Sequence, residues 1–218
     1  MSSSTMRPKR VAPTHARWIR LGLGLAVALQ VGVARADRVA RTPSEGDEDL
    51  MARVLGPSAD LAQKIVRSTD IAGGRVTLIG FVNAEDSSLV GHLLIEKSPG
   101  LYDHLKFPSC EEEGGAPELL AVFFARTVKG GGRDLAVLCR WEAKGGMVNG
   151  MSYSAQFYRI KETGSGAVVE PVTDLNEKFQ TAELVRLNKQ GKWTKGSKAK
   201  FKTVAEVKKL LTTMGIKQ

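Results

Sequence analysis

Lysines and aromatic residues are interleaved near the end of the chain, and their chemistry suits a surface that binds anions. Ammonium groups attract phosphates and carboxylates, and aromatic rings stack on the flat groups of a polymer. The candidate residues are Lys192, Trp193, Lys195, Lys198, Lys200 and Lys202. The alternative interpretation is an edge strand whose lysines prevent association with other sheets, with Trp193 and Phe201 in the core.

The distribution of charge agrees with a basic end on an acidic body. Residues 37–185 contain 16 basic and 22 acidic residues, whereas residues 186–218 contain ten basic residues and one acidic residue. The first 36 residues hold six further basic residues, so the formal net charge of +9 overstates the basic character of the remaining chain. We therefore expect an anionic polymer of the cell envelope, or a protein, as the partner, rather than a nucleic acid.

Asp103 and His104 are the candidate acid–base residues, because a carboxylate beside an imidazole in a loop can move protons. Such a pair would make the protein an exported hydrolase. The sequence offers little else for catalysis, since the histidines beyond residue 36 are His92 and His104 and no G-x-S-x-G motif occurs. Neither a metal nor another cofactor is expected, because no histidine has metal-ligand spacing. A non-catalytic binding protein is the main interpretation.

Cys110 and Cys139 are the only cysteines of the chain, and neither belongs to a C-x-x-C motif. In an oxidising compartment they are expected to form a structural disulfide. The bond would close a loop of about 30 residues and stabilise the fold by roughly 3–4 kcal/mol. It would also anchor the segment 98–115. This gives a third interpretation, a protein-interaction or inhibitor domain that inserts this loop into the cleft of a partner.

The first 36 residues have the pattern of a secretory signal peptide. Basic residues without any acidic residue precede an apolar run over 21–33, and Ala34-Arg35-Ala36 follows it. Cleavage is expected after Ala36, because signal peptidase reads small residues at these positions. The apolar run is shorter than the roughly 20 residues that span a bilayer. The sequence thus predicts a periplasmic or extracellular protein without a stable membrane span after cleavage; the alternative is a retained signal anchor.

The elements that position these residues form one predicted domain. A flexible lead-in over 37–46 precedes a domain over 47–218, whose lysine-rich segment is 186–218. Two short helices are predicted at the start of this domain. The first begins at Asp47, where acidic residues favour a helix N-terminus, and the second runs over 58–68.

After the two helices, a period of two predicts antiparallel strands. They cover 76–82, 89–96, 119–128, 135–142, 151–161 and a short sixth at 168–172. The strand over 119–128 is apolar on both faces, which is typical of a central strand, and 98–115 is expected to be an irregular connection. Thr203 and Glu206 have the spacing of a capping box that begins a final helix.

The predicted fold class is therefore α+β. It is an antiparallel β-meander of about five to six strands, flanked by two short N-terminal helices and a C-terminal helix. The alternative is a small β-barrel like that of oligosaccharide- and oligonucleotide-binding (OB) domains.

Overall fold

The computed structural model describes residues 36–111, 115–145, 148–164, 166–188 and 190–218. The predicted signal peptide therefore lies outside the described residues, except for Ala36. The described chain consists mainly of antiparallel β-strands with few helices, so the fold is β-rich.

The bounds of the elements are as follows. The strands are β1 (Asp37–Ala40), β2 (Val66–Ser68), β3 (Thr77–Asn83), β4 (Leu89–Ser98), β5 (Leu101–Pro108), β6 (Glu118–Arg126), β7 (Arg133–Gly145), β8 (Val148–Thr163), β9 (Gly166–Pro171), β10 (Gln180–Leu187) and β11 (Trp193–Lys195). The helices are α1 (Asp47–Leu55), α2 (Thr173–Asn176) and α3 (Val204–Thr213), and a short 3₁₀ turn covers Ala72–Gly74.

The strands form two antiparallel sheets that pack face to face. Sheet A has the order β1-β5-β4-β3-β2, and sheet B has the order β11-β10-β8-β7-β6, with β9 also paired to β8. The core between the sheets includes Phe81 and Phe107 from sheet A and Val137 and Tyr158 from sheet B. Helix α1 covers the outer face of sheet A, and α2 and α3 cover the outer face of sheet B. The described chain thus has four layers.

The predicted meander is only partly confirmed, because its strands belong to two different sheets. β3 and β4 lie in sheet A, whereas β6 to β9 lie in sheet B, and the OB-like barrel is not formed. β6 is apolar on both faces, as expected, since Phe124 packs on the core between the sheets and Phe123 packs on the core under α3. It is nevertheless at the edge of sheet B, so its two-sided burial comes from the layers above and below it.

Three local predictions are wrong. The lead-in over 37–46, which was expected to be flexible, contains strand β1, and β1 pairs with β5. The expected helix over 58–68 is instead an irregular segment with a β-bridge from Leu61 to Val82, followed by β2. The expected irregular connection over 98–115 contains β5, which pairs with β4 and β1. The predicted helices at Asp47 and Thr203 are confirmed, and the Thr203 hydroxyl accepts a hydrogen bond from the Glu206 N–H at 3.3 Å.

The predicted disulfide between Cys110 and Cys139 is confirmed. Cys110 lies just after β5 of sheet A, and Cys139 lies within β7 of sheet B. Both cysteines are buried in the core between the sheets, so the bond ties the two sheets together. Among the described residues, no helix combines the length and the apolar composition of a membrane span.

Candidate functional site

Trp193 lies on the edge of sheet B and is largely exposed. Strand β11 pairs with β10 through Leu187 and Trp193, Arg186 and Thr194, and Val185 and Lys195. All three residues of β11 are exposed, and Trp193 is 51 % exposed. A large aromatic side chain in this position contributes little to the core, so the alternative in which Trp193 is buried is not what the structure shows.

The strand registers place Trp193 and Lys195 on one face with residues of three other strands. Val185 pairs with both Asn149 and Lys195, and Asn149 also pairs with Lys144. Paired residues of an antiparallel sheet point to the same face, which here is the helix side of sheet B. Trp193, Lys144, Asn149 and Val148 line an open cleft of about 400 Å³. A polymer could therefore lie against the indole ring and contact ammonium groups beside it.

After β11 the chain continues alongside β10 in an extended conformation. The N–H of Gly196 donates to the Leu184 carbonyl at 2.9 Å, and the N–H of Lys200 donates to the Thr181 hydroxyl at 2.9 Å. Ala199 packs on the core under α3 and Phe201 is 1 % exposed within it. Lys198 and Lys200, in the same extended segment, are exposed. The expected alternation of outward lysines with inward apolar residues is present, although this segment is not a regular strand.

Lys202 differs from the other candidate lysines because it forms an ion pair with Glu183. The hydrogen bond from Lys202, and the positive charges of Lys202, Lys195 and Lys198, lower the pKa of the Glu183 carboxyl. Within the described part of the chain, no carboxylate lies within 4.0 Å of the ammonium groups of four of the candidates. These are Lys192, Lys195, Lys198 and Lys200, which therefore remain available to an external anion.

Asp103 and His104 do not meet in one site. They are consecutive residues of β5, so their side chains point to opposite faces of sheet A. Asp103 is 2 % exposed on the inner face, where the Lys97 ammonium lies 3.7 Å from its carboxylate. His104 lies on the outer face, where its Nε2 is 3.0 Å from Nδ1 of His92. The geometry therefore offers no acid–base pair of the expected kind.

The histidine pair is a contact that sequence reasoning missed. Burial, together with the positive charges of His104 and Lys106, lowers the pKa of His92 to about 4. Burial also lowers the pKa of His104, while the nearby Asp37 carboxylate acts in the opposite direction. The spacing of 12 positions between the two histidines does not predict a contact. The contact can be predicted only when the pairing of β4 with β5 is known.

A second missed cluster joins β8 to the end of β6. The guanidinium of Arg159 donates to the Asp134 carboxylate at 3.1 and 3.2 Å and to the Thr127 hydroxyl at 2.6 Å. The Thr127 hydroxyl also donates to Asp134. This cluster borders a cavity of about 300 Å³ whose wall also carries Arg133, ion-paired with Asp70. The charges of these side chains balance, so the cavity has no excess of either sign.

Across the ranges that the structure describes, no group of three or more histidine, cysteine, aspartate or glutamate side chains is arranged to hold a metal ion. A comparison of this chain with protein-family models, with curated proteins and with solved structures finds no match.

Proposed function

We propose that this protein is an exported, non-catalytic binding protein that holds an anionic polymer of the cell envelope on the basic edge of sheet B. The observation that carries the proposal is the exposed Trp193 beside lysines without a described carboxylate partner. A buried disulfide and a signal-peptide pattern support export, because disulfides persist in oxidising compartments. The bound polymer lies across the open cleft and not in an enclosed pocket.

The basic edge is suited to a polymer because its cations are spaced along an extended segment. Lys195, Lys198 and Lys200 follow one another over six residues of extended chain. Such a row matches repeated charges better than a single small anion. If four lysines each displace a counterion, the logarithm of the binding constant falls with the logarithm of salt concentration with a slope of about −3 to −4.

The test is charge reversal at Lys195, Lys198 and Lys200, with retention measured on immobilised heparin, a sulfated glycan, at increasing salt. Lys202 is left unchanged because its loss would leave Glu183 without its ion-pair partner. The matched control reverses three other exposed lysines outside this edge, Lys106, Lys129 and Lys178. Both triple variants change the net charge equally, so a nonspecific effect of charge is the same in the two proteins.

The edge variant should elute at a much lower salt concentration than the control variant, with equal melting temperatures. The slope of the logarithm of the binding constant against the logarithm of salt concentration should be much shallower for the edge variant, because only Lys192 of the four lysines keeps its charge. If both variants elute together, the interaction depends on total charge and the proposed surface is wrong. If neither differs from the unchanged protein, the lysines are a solvated edge that prevents sheet association.

A further inference from the structure

The rings of His92 and His104 lie edge to edge in nearly one plane. The two facing nitrogens are 3.0 Å apart, the ring centroids are 5.2 Å apart, and the planes differ by 12°. The centroid separation is close to the nitrogen separation plus the two ring radii, so centroids and nitrogens fall almost on one line. The in-plane lone pair of one ring therefore points directly at the nitrogen of the other.

Strand pairing in sheet A fixes the backbone of both histidines. β4 is paired on both sides, with β3 and β5, and β5 is paired with β4 and β1. His92 is only 7 % exposed. The sulfur of Met51 lies over Gly80, at 3.3 Å from where a Cβ would be, and Gly80 is paired with His92. The Met51 thioether therefore lies over the residue that pairs with His92, on the outer face of sheet A.

The charged groups around the pair nearly cancel. Lys106 is paired with His92, and Asp37 is paired with His104, so one cation and one anion lie on the same face as the rings. The repulsion from Lys106 and the attraction from Asp37 therefore largely offset each other for a cation bound between the rings.

We propose that His92 and His104 form a two-coordinate site for a soft monovalent cation, Cu(I) or Ag(I). Facing in-plane nitrogens provide a linear arrangement, and imidazole and thioether groups are accepted ligands of Cu(I). A metal in line between two imidazole nitrogens needs them roughly 4 Å apart. The rings must therefore separate by about 1 Å from their hydrogen-bonded positions, a shift that side-chain torsions can supply.

Binding leaves the proton count unchanged. In the neutral pair, one of the two facing nitrogens carries a hydrogen and donates it to the other. When the ion takes both lone pairs, that hydrogen moves to the other nitrogen of its own ring, so two bonds to the metal form and no proton is released. The ion keeps its oxidation state throughout. This site does not depend on the proposed polymer-binding function.

The test is an anaerobic titration of the full chain with Ag(I), and with Cu(I) in competition with the chelator bicinchoninate. Imidazole ¹⁵N NMR signals are followed in parallel. We expect one equivalent of each ion to bind and the signals of both His92 and His104 to move. His104→Gln and His92→Gln should each lower the affinity at least 100-fold.

Three results would overturn the site. One is that both signals stay in place while an equivalent of Ag(I) binds. The second is an affinity that survives His104→Gln. The third is Zn(II) binding as tight as that of Ag(I), because a tetrahedral ion needs ligands that this pair does not have. If His92→Gln does not fold, the partly exposed His104 variant and the NMR signals still decide the question.

Discussion

The contribution of a polar side chain to the stability of this protein depends on how deeply the side chain is buried. Asp134 is buried and shares its carboxylate between Arg159 and Thr127. Asp70 forms a comparable ion pair with Arg133, but both partners are about half exposed. The ion pair of Asp134 with Arg159 should therefore contribute to the free energy of unfolding. The exposed pair of Asp70 with Arg133 should contribute little, because water competes for both groups.

Asp134→Asn tests this difference, with Asp70→Asn as the matched control. The amide nitrogen cannot accept the hydrogen bonds that Arg159 and Thr127 donate, so we expect a loss of roughly 2–3 kcal/mol in the free energy of unfolding. The control should change it by less than about 1 kcal/mol. Urea unfolding at pH 7 measures both values. Equal losses in the two variants would show that the cluster is not a buried network.

His92 makes a separate prediction about pH. In the unfolded chain its imidazole takes up a proton near pH 6.5, whereas in the fold its pKa is lowered to about 4. The unfolded state therefore binds more protons between these values, and stability falls as the pH is lowered through this window. The loss should be on the order of 3 kcal/mol. His92→Gln should remove most of this dependence in urea unfolding at pH 7 and pH 4.5; an unchanged slope would contradict the assignment.

At the residue scale, the sequence was informative where the signal is local. The disulfide could be predicted because the chain has no other cysteines, and the outward lysines could be predicted because Ala199 and Phe201 alternate with them. The contact between His92 and His104 could not be predicted, because it depends on the pairing of two strands. Asp134 and Arg159 are likewise brought together by neighbouring strands.

At the scale of elements, β5 shows why a strand was missed. Its inner face carries Leu105 and Phe107, which have the expected period of two, but Asp103 interrupts it. Tyr102 is buried on the opposite face, which blurs the alternation further. β10 and β11 were missed because none of their residues is fully buried: β11 is exposed throughout, and β10 mixes polar with apolar residues that are half-buried or exposed. The helix predicted over 58–68 does not form, because apolar residues of this segment pack against the cores on both faces of sheet A.

The packing of β5 on β4 can be tested at Gly91. Phe107 is paired with Gly91, and its ring lies so close that a Cβ on Gly91 would be 2.2 Å from the ring carbon Cζ. The ring thus fills the space that a side chain would occupy. Gly91→Ala should lower the free energy of unfolding by roughly 2–3 kcal/mol, because the ring must move within a packed core.

Gly132→Ala is the control for this substitution. Gly132 is exposed, and a Cβ there would have no heavy atom within 4 Å. We expect a change of less than about 0.5 kcal/mol. Thermal and urea unfolding of the two variants should therefore differ clearly. Similar stabilities would mean that Phe107 adapts freely and that the β4–β5 core is loosely packed.

At the scale of the whole molecule, the described fold has a buried core and a separate exposed edge. The two sheets, their disulfide and the covering helices bury the core, while the edge formed by β11 and the segment after it stays exposed. Composition alone predicted a basic end on an acidic body. It could not predict the two-sheet arrangement, because strand order depends on contacts distant in sequence, such as that between β1 and β5.

The most direct test of the proposed function is whether an anionic polymer contacts Trp193. Tryptophan residues can be labelled with fluorine, and ¹⁹F NMR then follows each indole during titration with heparin oligosaccharides. Trp141, which is 2 % exposed, provides an internal control. We expect the Trp193 signal to move in a saturable way and the Trp141 signal to stay in place. Charge reversal at Lys195, Lys198 and Lys200 should abolish the shift. A polymer that binds while the Trp193 signal stays unchanged would contradict the proposed function.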